Sequence, residues 1–442
     1  MSLAELLSPP PATPQQPGGD ASQQRRRRVL SLLQAGDVDA AEQVWQQELA
    51  EGKLTTQWAQ REIERLLGNG KPFAMLEEFA RLHAQHRWGS PWYPQRGAHD
   101  AAMPPPLLPR VPRDVLTVSK LRHDAGQFAY LRAQGLLGPE FDRIIATYEC
   151  LAERLFAHGG AEARRPMEAA DRTLVGHVYN RIVHLPRVGR VARALSPAWD
   201  PREVEQRFLG GEAVVVIDDF LTPEALEGLH RFAMQATVWS GNRYAWGRFG
   251  AFFNDGFNCA LLLQVAQELK QALPHVITPR YPLRQIWGFK NSADLPPDVN
   301  LHADFSAVNV NFWLTPEESN LDPATGGMKV YDVDAPQTWD FHTYNGRTDI
   351  IKSFLYENRA KETYIPYRRN RCIIFNSDLF HGTHEVHFKP GFVNHRINVT
   401  MLYGHREDDE LHRPLTGRPD LASRWRMEHS AWRSRAFSRH RQ

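Results

Sequence analysis

Residues 300–314 read Asn-Leu-His-Ala-Asp-Phe-Ser-Ala-Val-Asn-Val-Asn-Phe-Trp-Leu, and this stretch carries two kinds of signal. Its second half alternates apolar with polar residues, which is typical of a β-strand that turns one face toward a core. Its first half holds an imidazole and a carboxylate two positions apart, at His302 and Asp304. Because residues two apart in an extended chain face the same side, we expect these two side chains to project together.

The segments around this stretch continue the β pattern. Apolar runs at 213–217 and 372–375 predict buried strands, and Gly326-Gly327 predicts a turn that leads into residues 328–331. Thr222-Pro223 predicts a helix start, with a hydroxyl at the N-cap and proline at the first helical position. Short strands separated by Gly, Pro and Asn turns are typical of an antiparallel double sheet of the jelly-roll or cupin-like kind.

The chain before this β region has the pattern of helices. Apolar residues recur at spacings of three and four from Val29 to Trp88 and resemble degenerate tetratricopeptide (TPR-like) hairpins. Such repeats need about three stacked units to build a binding groove, so we interpret the region as a helical support. The expected organisation is a disordered lead at 1–28, a helical region at 29–200 with a proline-rich connector at 89–113 and helices near 117–134 and 139–157, a β domain at 201–405, and a basic C-terminal tail or helix at 406–442.

Composition excludes several function classes. The 442 residues include 53 Lys and Arg against 51 Asp and Glu, a balance too even for a chain that coats nucleic acid or an anionic membrane. No apolar run approaches the length of roughly 18 residues that a membrane span needs. The 3 cysteines are far apart and form no disulfide or zinc-ribbon pattern, which favours a reducing, cytoplasmic compartment. We therefore expect no nucleic-acid or membrane partner.

Two later segments add polar groups to the His-x-Asp pair. The apolar strand at 372–375 leads through a polar turn to His381, and residues 396–403 predict a strand with Arg396, Asn398 and Thr400 on one face. A guanidinium on an inward face needs an anionic partner, because a buried unpaired charge is costly. A dicarboxylate would supply that partner through a bidentate pair.

His302-x-Asp304, then His381, then Arg396 resembles the pattern of the iron(II)/2-oxoglutarate-dependent dioxygenases. The likeness is to bacterial members in which a helical, tetratricopeptide-like region precedes the catalytic domain, and it covers about 213–405. It implies an α+β protein with a double-stranded β-helix. The sequence separation between His381 and Arg396 is slightly longer than is usual in the family, so His384 stays open as an alternative distal metal ligand. We favour His381 because it ends the apolar strand as the family's distal histidine does.

The resemblance implies that His302, Asp304 and His381 hold iron(II), while Arg396 and Asn398 bind 2-oxoglutarate. Dioxygen is then the cosubstrate, succinate and carbon dioxide are released, and an unactivated C–H bond of a small molecule, amino acid or peptide-type substrate is hydroxylated. Two alternatives stay open. One is a cupin-type metal dioxygenase without 2-oxoglutarate; the other is a non-catalytic helical adaptor with a degenerate barrel. A protein partner or self-association through the helical region is also open.

Three segments are candidates for roles around the substrate. Trp239, Tyr244 and Trp246 lie in an aromatic-rich stretch that suits either a substrate mouth or the core, and Asn311 is a further pocket candidate. The long connection at 341–371 has the length of an active-site lid. Lys290 and Asn291 could reach the cosubstrate, although a surface loop is the expected setting for them.

Overall fold

The computed structural model describes residues 19–35, 37, 40–41, 43–45, 47, 62–63, 65, 73–90, 114–240, 247–293, 295–296 and 301–406. The chain divides into two compact units, residues 1–62 and 63–442. In the first unit, helix α1 (Gly19–Gln34) buries Val29 and Leu33. It occupies part of the stretch expected as a disordered lead, because no proline or further glycine interrupts it after Gly19.

The second unit combines helices with antiparallel strands, which confirms the α+β class. None of the described helices is long and apolar enough to cross a membrane. The expected helices near 117–134 and 139–157 are present as α3 and α4 below; the tetratricopeptide-like character and the domain boundaries stay predictions. The described helices are α2 (Phe73–Trp88), α3 (Val118–Ala133), α4 (Glu140–Gly159), α5 (Ala169–Val175), α6 (Pro201–Gly210), α7 (Pro223–Gln235), α8 (Ala260–Ala272), α9 (Phe341–Gly346) and α10 (Thr348–Glu357).

The described strands form a six-stranded major sheet, a three-stranded minor sheet and one two-stranded ribbon. The major sheet has the order β3-β9-β6-β11-β5-β4, the minor sheet β10-β7-β8, and the ribbon β1-β2, with every pairing antiparallel. The bounds are β1 (Val115–Thr117), β2 (Arg164–Pro166), β3 (Val214–Ile217), β4 (Arg248–Phe252), β5 (Leu283–Asn291), β6 (Val308–Trp313), β7 (Met328–Asp334), β8 (Glu362–Ile365), β9 (Cys372–Asn376), β10 (Leu379–Thr383) and β11 (Arg396–Tyr403).

The major and minor sheets share one apolar core. Trp313, Ile373 and Phe375 from the major sheet pack in the same cluster as Met328 and Val330 from the minor sheet. Side chains alternate along a strand, so these residues define the inner face of each sheet. β11 lies inside the major sheet between β5 and β6, and all its residues are buried because both of its faces are covered.

Helices cover the outer face of the major sheet. Helix α7 begins at the predicted position, with the Thr222 side chain accepting a hydrogen bond from Ala225 N at 3.3 Å. The Tyr403 hydroxyl on β11 donates to the carbonyl of Ala266 in α8 at 3.1 Å. Lys290 also faces this layer and lies 4.6 Å from the Trp239 ring centroid. The expectation of a surface loop at Lys290 and Asn291 is therefore wrong, because both residues are buried on β5.

Two other expectations need correction. The connection at 341–371 contains α9, α10 and β8 instead of a long loop, since its apolar residues pack against the outer face of the minor sheet. His302 and Asp304 do not lie in a regular strand. His302 forms an isolated bridge with His381, in which the two residues exchange backbone hydrogen bonds of 3.0 and 2.8 Å.

The turn before β7 depends on the absence of a side chain at Gly327. A Cβ atom built there would lie 1.8 Å from the carbonyl oxygen of Ile365, a backbone atom that cannot rotate away. We expect Gly327→Ala to lower the free energy of unfolding by about 1–3 kcal/mol or more, because the turn must move. Gly189→Ala is the matched control, since nothing lies within 4 Å of a Cβ at that position.

Urea unfolding of the two variants beside the unsubstituted protein measures this difference. The free energy of unfolding of Gly189→Ala should stay within about 0.5 kcal/mol of that of the unsubstituted protein. Equal stability of Gly327→Ala and the unsubstituted protein would contradict the packing of this turn.

Candidate metal centre

The structure brings His302, Asp304 and His381 together. One ligand atom from each residue lies within 4.8 Å of the others. His302 Nε2 is 3.6 Å from Asp304 Oδ1, and His381 Nε2 is 3.4 Å from Asp304 Oδ2. Two imidazole nitrogens and one carboxylate on one side of a divalent ion leave three coordination positions open.

Asp304 has the properties of a metal ligand before any metal binds. It is 2% exposed, and its Oδ1 accepts no hydrogen bond from the described residues. Burial would raise the pKa of Asp304, but the charge of His302 and hydrogen bonds from His381 and Asn309 outweigh burial and keep the pKa below its ordinary value. A buried, ionised carboxylate with an oxygen that lacks a partner fits a cation at this position.

The backbone fixes the orientation of the His381 ring. His381 Nδ1 lies 2.9 Å from the carbonyl oxygen of Leu379. A carbonyl only accepts, so Nδ1 carries a proton, and Nε2 is the ring nitrogen that faces Asp304 and is placed to bind a metal. His384 has a different setting: its ring packs 4.3 Å from the ring of Tyr364, and it does not belong to the cluster of three.

A chain of hydrogen bonds runs from Asp304 along the inner face of the major sheet. Asn309 Nδ2 donates to Asp304 Oδ2 at 2.6 Å, and Asn311 Nδ2 donates to Asn309 Oδ1. The Thr400 hydroxyl donates to Asn311 Oδ1 at 2.6 Å. Asn398 Nδ2 lies 3.4 Å from the Thr400 hydroxyl oxygen, and Asn398 Oδ1 accepts from Arg396 Nη1 at 3.2 Å. We call Asp304, Asn309, Asn311, Thr400, Asn398 and Arg396 the polar chain.

Arg396 ends the polar chain in a buried position. Arg396 is 1% exposed. Its guanidinium donates to the carbonyls of Gly326 and Gly327 and to Asn398 Oδ1. Burial lowers the pKa of Arg396 to about 10; Tyr367 opposes this effect and the charge of Arg248 adds to it. The sequence-predicted pair Arg396 and Asn398 is therefore brought together on the same face as Asn311.

A buried ion pair fixes the loop that carries Asp304. Arg406 Nε lies 2.9 Å from Asp378 Oδ1, and both residues are at most 2% exposed. Arg406 N donates to the carbonyl of Phe305 at 2.9 Å, and Asp304 N donates to the carbonyl of Ser377 at 3.1 Å. The pair thus ties the two segments that flank the cluster. The sequence assigned Arg406 to the basic tail, and only its neighbourhood in the fold identifies this role.

The aromatic pocket candidates are not brought to the cluster in the described residues. Trp239 is 2% exposed, donates its indole N–H to the carbonyl of Ala233 at 3.1 Å, and packs on the outer side with Lys290. Tyr244 and Trp246 lie outside the described residues.

A cavity of about 320 Å³ borders Leu301, Lys329 and Gly382, on the outer face of the minor sheet. His381 pairs with Val330 on β7, and none of the three cluster residues lines this cavity.

Comparisons with known proteins give matches only among solved structures. No protein-family model and no curated protein matches the chain. The similar structures include HygX from Streptomyces hygroscopicus with nickel and 2-oxoglutarate bound, at a TM-score of 0.34 and 11% sequence identity. The match covers 46% of this chain and 86% of the HygX chain.

Two prolyl hydroxylases are also similar. One, from Trichoplax adhaerens in complex with a hypoxia inducible factor peptide fragment, has a TM-score of 0.29 and 15% identity over 48% of this chain and 92% of its own. The other, a prolyl-4-hydroxylase from Pseudomonas putida, has a TM-score of 0.26 and 13% identity over 49% of this chain and 99% of its own. At these values the likenesses carry no argument for function.

Removing one imidazole of the cluster should abolish tight metal binding. We expect His381→Ala to weaken cobalt(II) binding at least 100-fold, because the loss of a direct ligand exceeds the roughly 10- to 100-fold effect of losing an outer-shell partner. His384→Ala is the matched control and should bind cobalt(II) within about twofold of the unsubstituted protein. Titration followed by cobalt(II) absorption measures both; loss of binding in His384→Ala instead would make His384 the distal ligand.

Proposed function

We propose that the chain is an iron(II)- and 2-oxoglutarate-dependent oxygenase with a double-stranded β-helix core. The observation that carries this proposal is the polar chain, with a buried His-Asp-His cluster at one end and a buried guanidinium at the other. A metal site alone is common among proteins. A metal site joined to an inward arginine on the same sheet face suits a ligand that chelates a metal and carries a second carboxylate.

The residues of the cluster would hold iron(II) through His302 Nε2, His381 Nε2 and a carboxylate oxygen of Asp304. Their nitrogen and oxygen donors suit several divalent metals, and binding strength alone would favour copper. Iron is proposed because two histidines and one carboxylate are the donor set typical of non-haem iron(II) sites, and because the reaction needs a metal that changes its oxidation state. Bound iron(II) supplies the redox chemistry that couples oxidative decarboxylation of 2-oxoglutarate, giving succinate and carbon dioxide, to oxidation of a substrate C–H bond.

Arg396 would pair with the carboxylate of 2-oxoglutarate that is remote from the metal. Asn398 holds the guanidinium from the side, because its Oδ1 accepts from Arg396 Nη1 while its amide nitrogen faces Thr400 and Asn311. This arrangement refines the role predicted for Asn398, which we propose to orient the arginine. The surrounding Trp313 and Tyr367 rings exclude water from the guanidinium, which strengthens its attraction for a carboxylate.

We propose hydroxylation of an unactivated C–H bond as the outcome, with a small molecule, amino acid or peptide-type compound as the substrate. Asp304 supports hydroxylation over halogenation, because it would take the coordination position that a halide needs.

A reducing, cytoplasmic setting is proposed from the three cysteines, which are free thiols. The burial of Cys259 and Cys372 raises the pKa of both thiols, so neither is a reactive thiolate near neutral pH.

Turnover with iron(II), oxygen and 2-oxoglutarate tests the proposal. Across a panel of free amino acids and short peptides, we expect at least one compound to increase succinate formation and to gain one oxygen atom from labelled dioxygen. His302→Ala should abolish succinate formation, and Arg396→Met should raise the half-saturating 2-oxoglutarate concentration by roughly 10-fold or more.

Nuclear magnetic resonance for succinate and mass spectrometry for the product give the two readouts. Oxygen uptake that does not depend on 2-oxoglutarate would indicate the cupin-type reaction instead. Failure to bind iron at all would leave the adaptor interpretation.

A further inference from the structure

A second arginine lies in the same row of the sheet as Arg396. Asn291 on β5 pairs with Arg248 on β4 at one side and with Arg396 on β11 at the other. Residues directly opposite each other on neighbouring strands share a face of the sheet. Arg248 therefore faces the interior between the two sheets, as Arg396 does.

The two guanidinium groups reach the same part of the minor sheet. Arg396 Nη2 donates to the carbonyl of Gly327 at 3.3 Å, and Arg248 Nη1 donates to the Thr383 hydroxyl at 3.3 Å. Thr383 on β10 pairs with Met328 on β7, which follows Gly327 in the chain. Thr383 is also two residues beyond His381, a member of the metal cluster.

Both side chains are held in place and removed from water. Arg248 is 6% exposed and lies 4.0 Å from the centroid of the Phe289 ring, and Arg396 is 1% exposed. The two arginines are separated by a single strand, since both pair with Asn291 on β5. A carboxylate placed between them could accept hydrogen bonds from both guanidinium groups.

We propose that Arg248 is a second anchor for 2-oxoglutarate, sharing with Arg396 the carboxylate that is remote from the metal. This inference rests on the proposed function, because it assigns Arg248 to the cosubstrate of that reaction. Two guanidinium groups favour a dicarboxylate over a 2-oxo acid that ends in a methyl group. Arg248 would thereby set the selectivity of the site for 2-oxoglutarate over monocarboxylate 2-oxo acids, without touching the metal.

Binding of two 2-oxo acids separates this role from a structural one. The full-length protein is loaded with iron(II) under anaerobic conditions and titrated calorimetrically with 2-oxoglutarate or with 2-oxopentanoate, which has the same carbon chain but lacks the remote carboxylate. We expect Arg248→Met to weaken 2-oxoglutarate binding by a factor of about 10 to 100, the effect of losing a hydrogen bond between charged groups. Binding of 2-oxopentanoate should change by less than about twofold.

Two further variants control for charge and for folding. Arg248→Lys keeps the charge and should restore part of the preference for 2-oxoglutarate, which also provides the test if Arg248→Met does not fold. Arg81→Met removes another buried guanidinium, one that donates to the carbonyl of Leu185, and should leave both affinities unchanged.

Unchanged 2-oxoglutarate affinity in Arg248→Met, or equal weakening of both acids, would overturn the assignment of Arg248 and leave the proposed function standing. If the unsubstituted protein binds neither acid, the proposed function itself fails.

Discussion

The polar chain is the constraint on which the rest of the site depends. Asparagine side chains are costly to bury unless their donors and acceptors are satisfied, and Asn309, Asn311 and Asn398 satisfy one another between Asp304 and Arg396. The links cross from β6 to β11, so they require the register that these two strands adopt. A slip of β11 by one residue would turn Arg396 and Asn398 to the opposite face of the sheet.

Other parts of the second unit fix the orientation of β11 and the positions of the residues that form the metal cluster. The outer residues of β11 are apolar and buried against helices, which makes the opposite orientation of the strand unfavourable. The backbone bridge between His302 and His381 and the ion pair between Arg406 and Asp378 fix the irregular segment that carries His302 and Asp304 beside strand β10, which carries His381. Two of the three candidate ligands, His302 and Asp304, therefore come from an irregular segment that the double sheet positions, a common arrangement for functional residues, and His381 comes from a strand of the minor sheet.

Local sequence pattern was enough to predict several elements and the pairing of His302 with Asp304, whereas His381 was assigned through the resemblance to a family, with His384 left open. The alternating residues of β6 and β11 and the capped start of α7 follow from side-chain spacing and N-cap chemistry, which act over a few residues. The position of Arg248 could not be predicted, because it depends on pairing with Asn291 and, through it, with Arg396 far along the chain. Lys290 and Asn291 are neighbours on β5, so their side chains lie on opposite faces of the sheet. Lys290 therefore lies on the face that the helices cover, which can be inferred only once β5 is known to be a strand.

The most direct test of the link between the metal cluster and Arg396 is a visible absorption spectrum under anaerobic conditions. The protein is loaded with iron(II) and titrated with 2-oxoglutarate, whose chelation of the metal produces a weak charge-transfer band. The geometry of the cluster predicts a saturable band that is lost in His302→Ala and that needs more 2-oxoglutarate in Arg396→Met. Iron bound with no band at any 2-oxoglutarate concentration would contradict the assignment of these residues to one cosubstrate site.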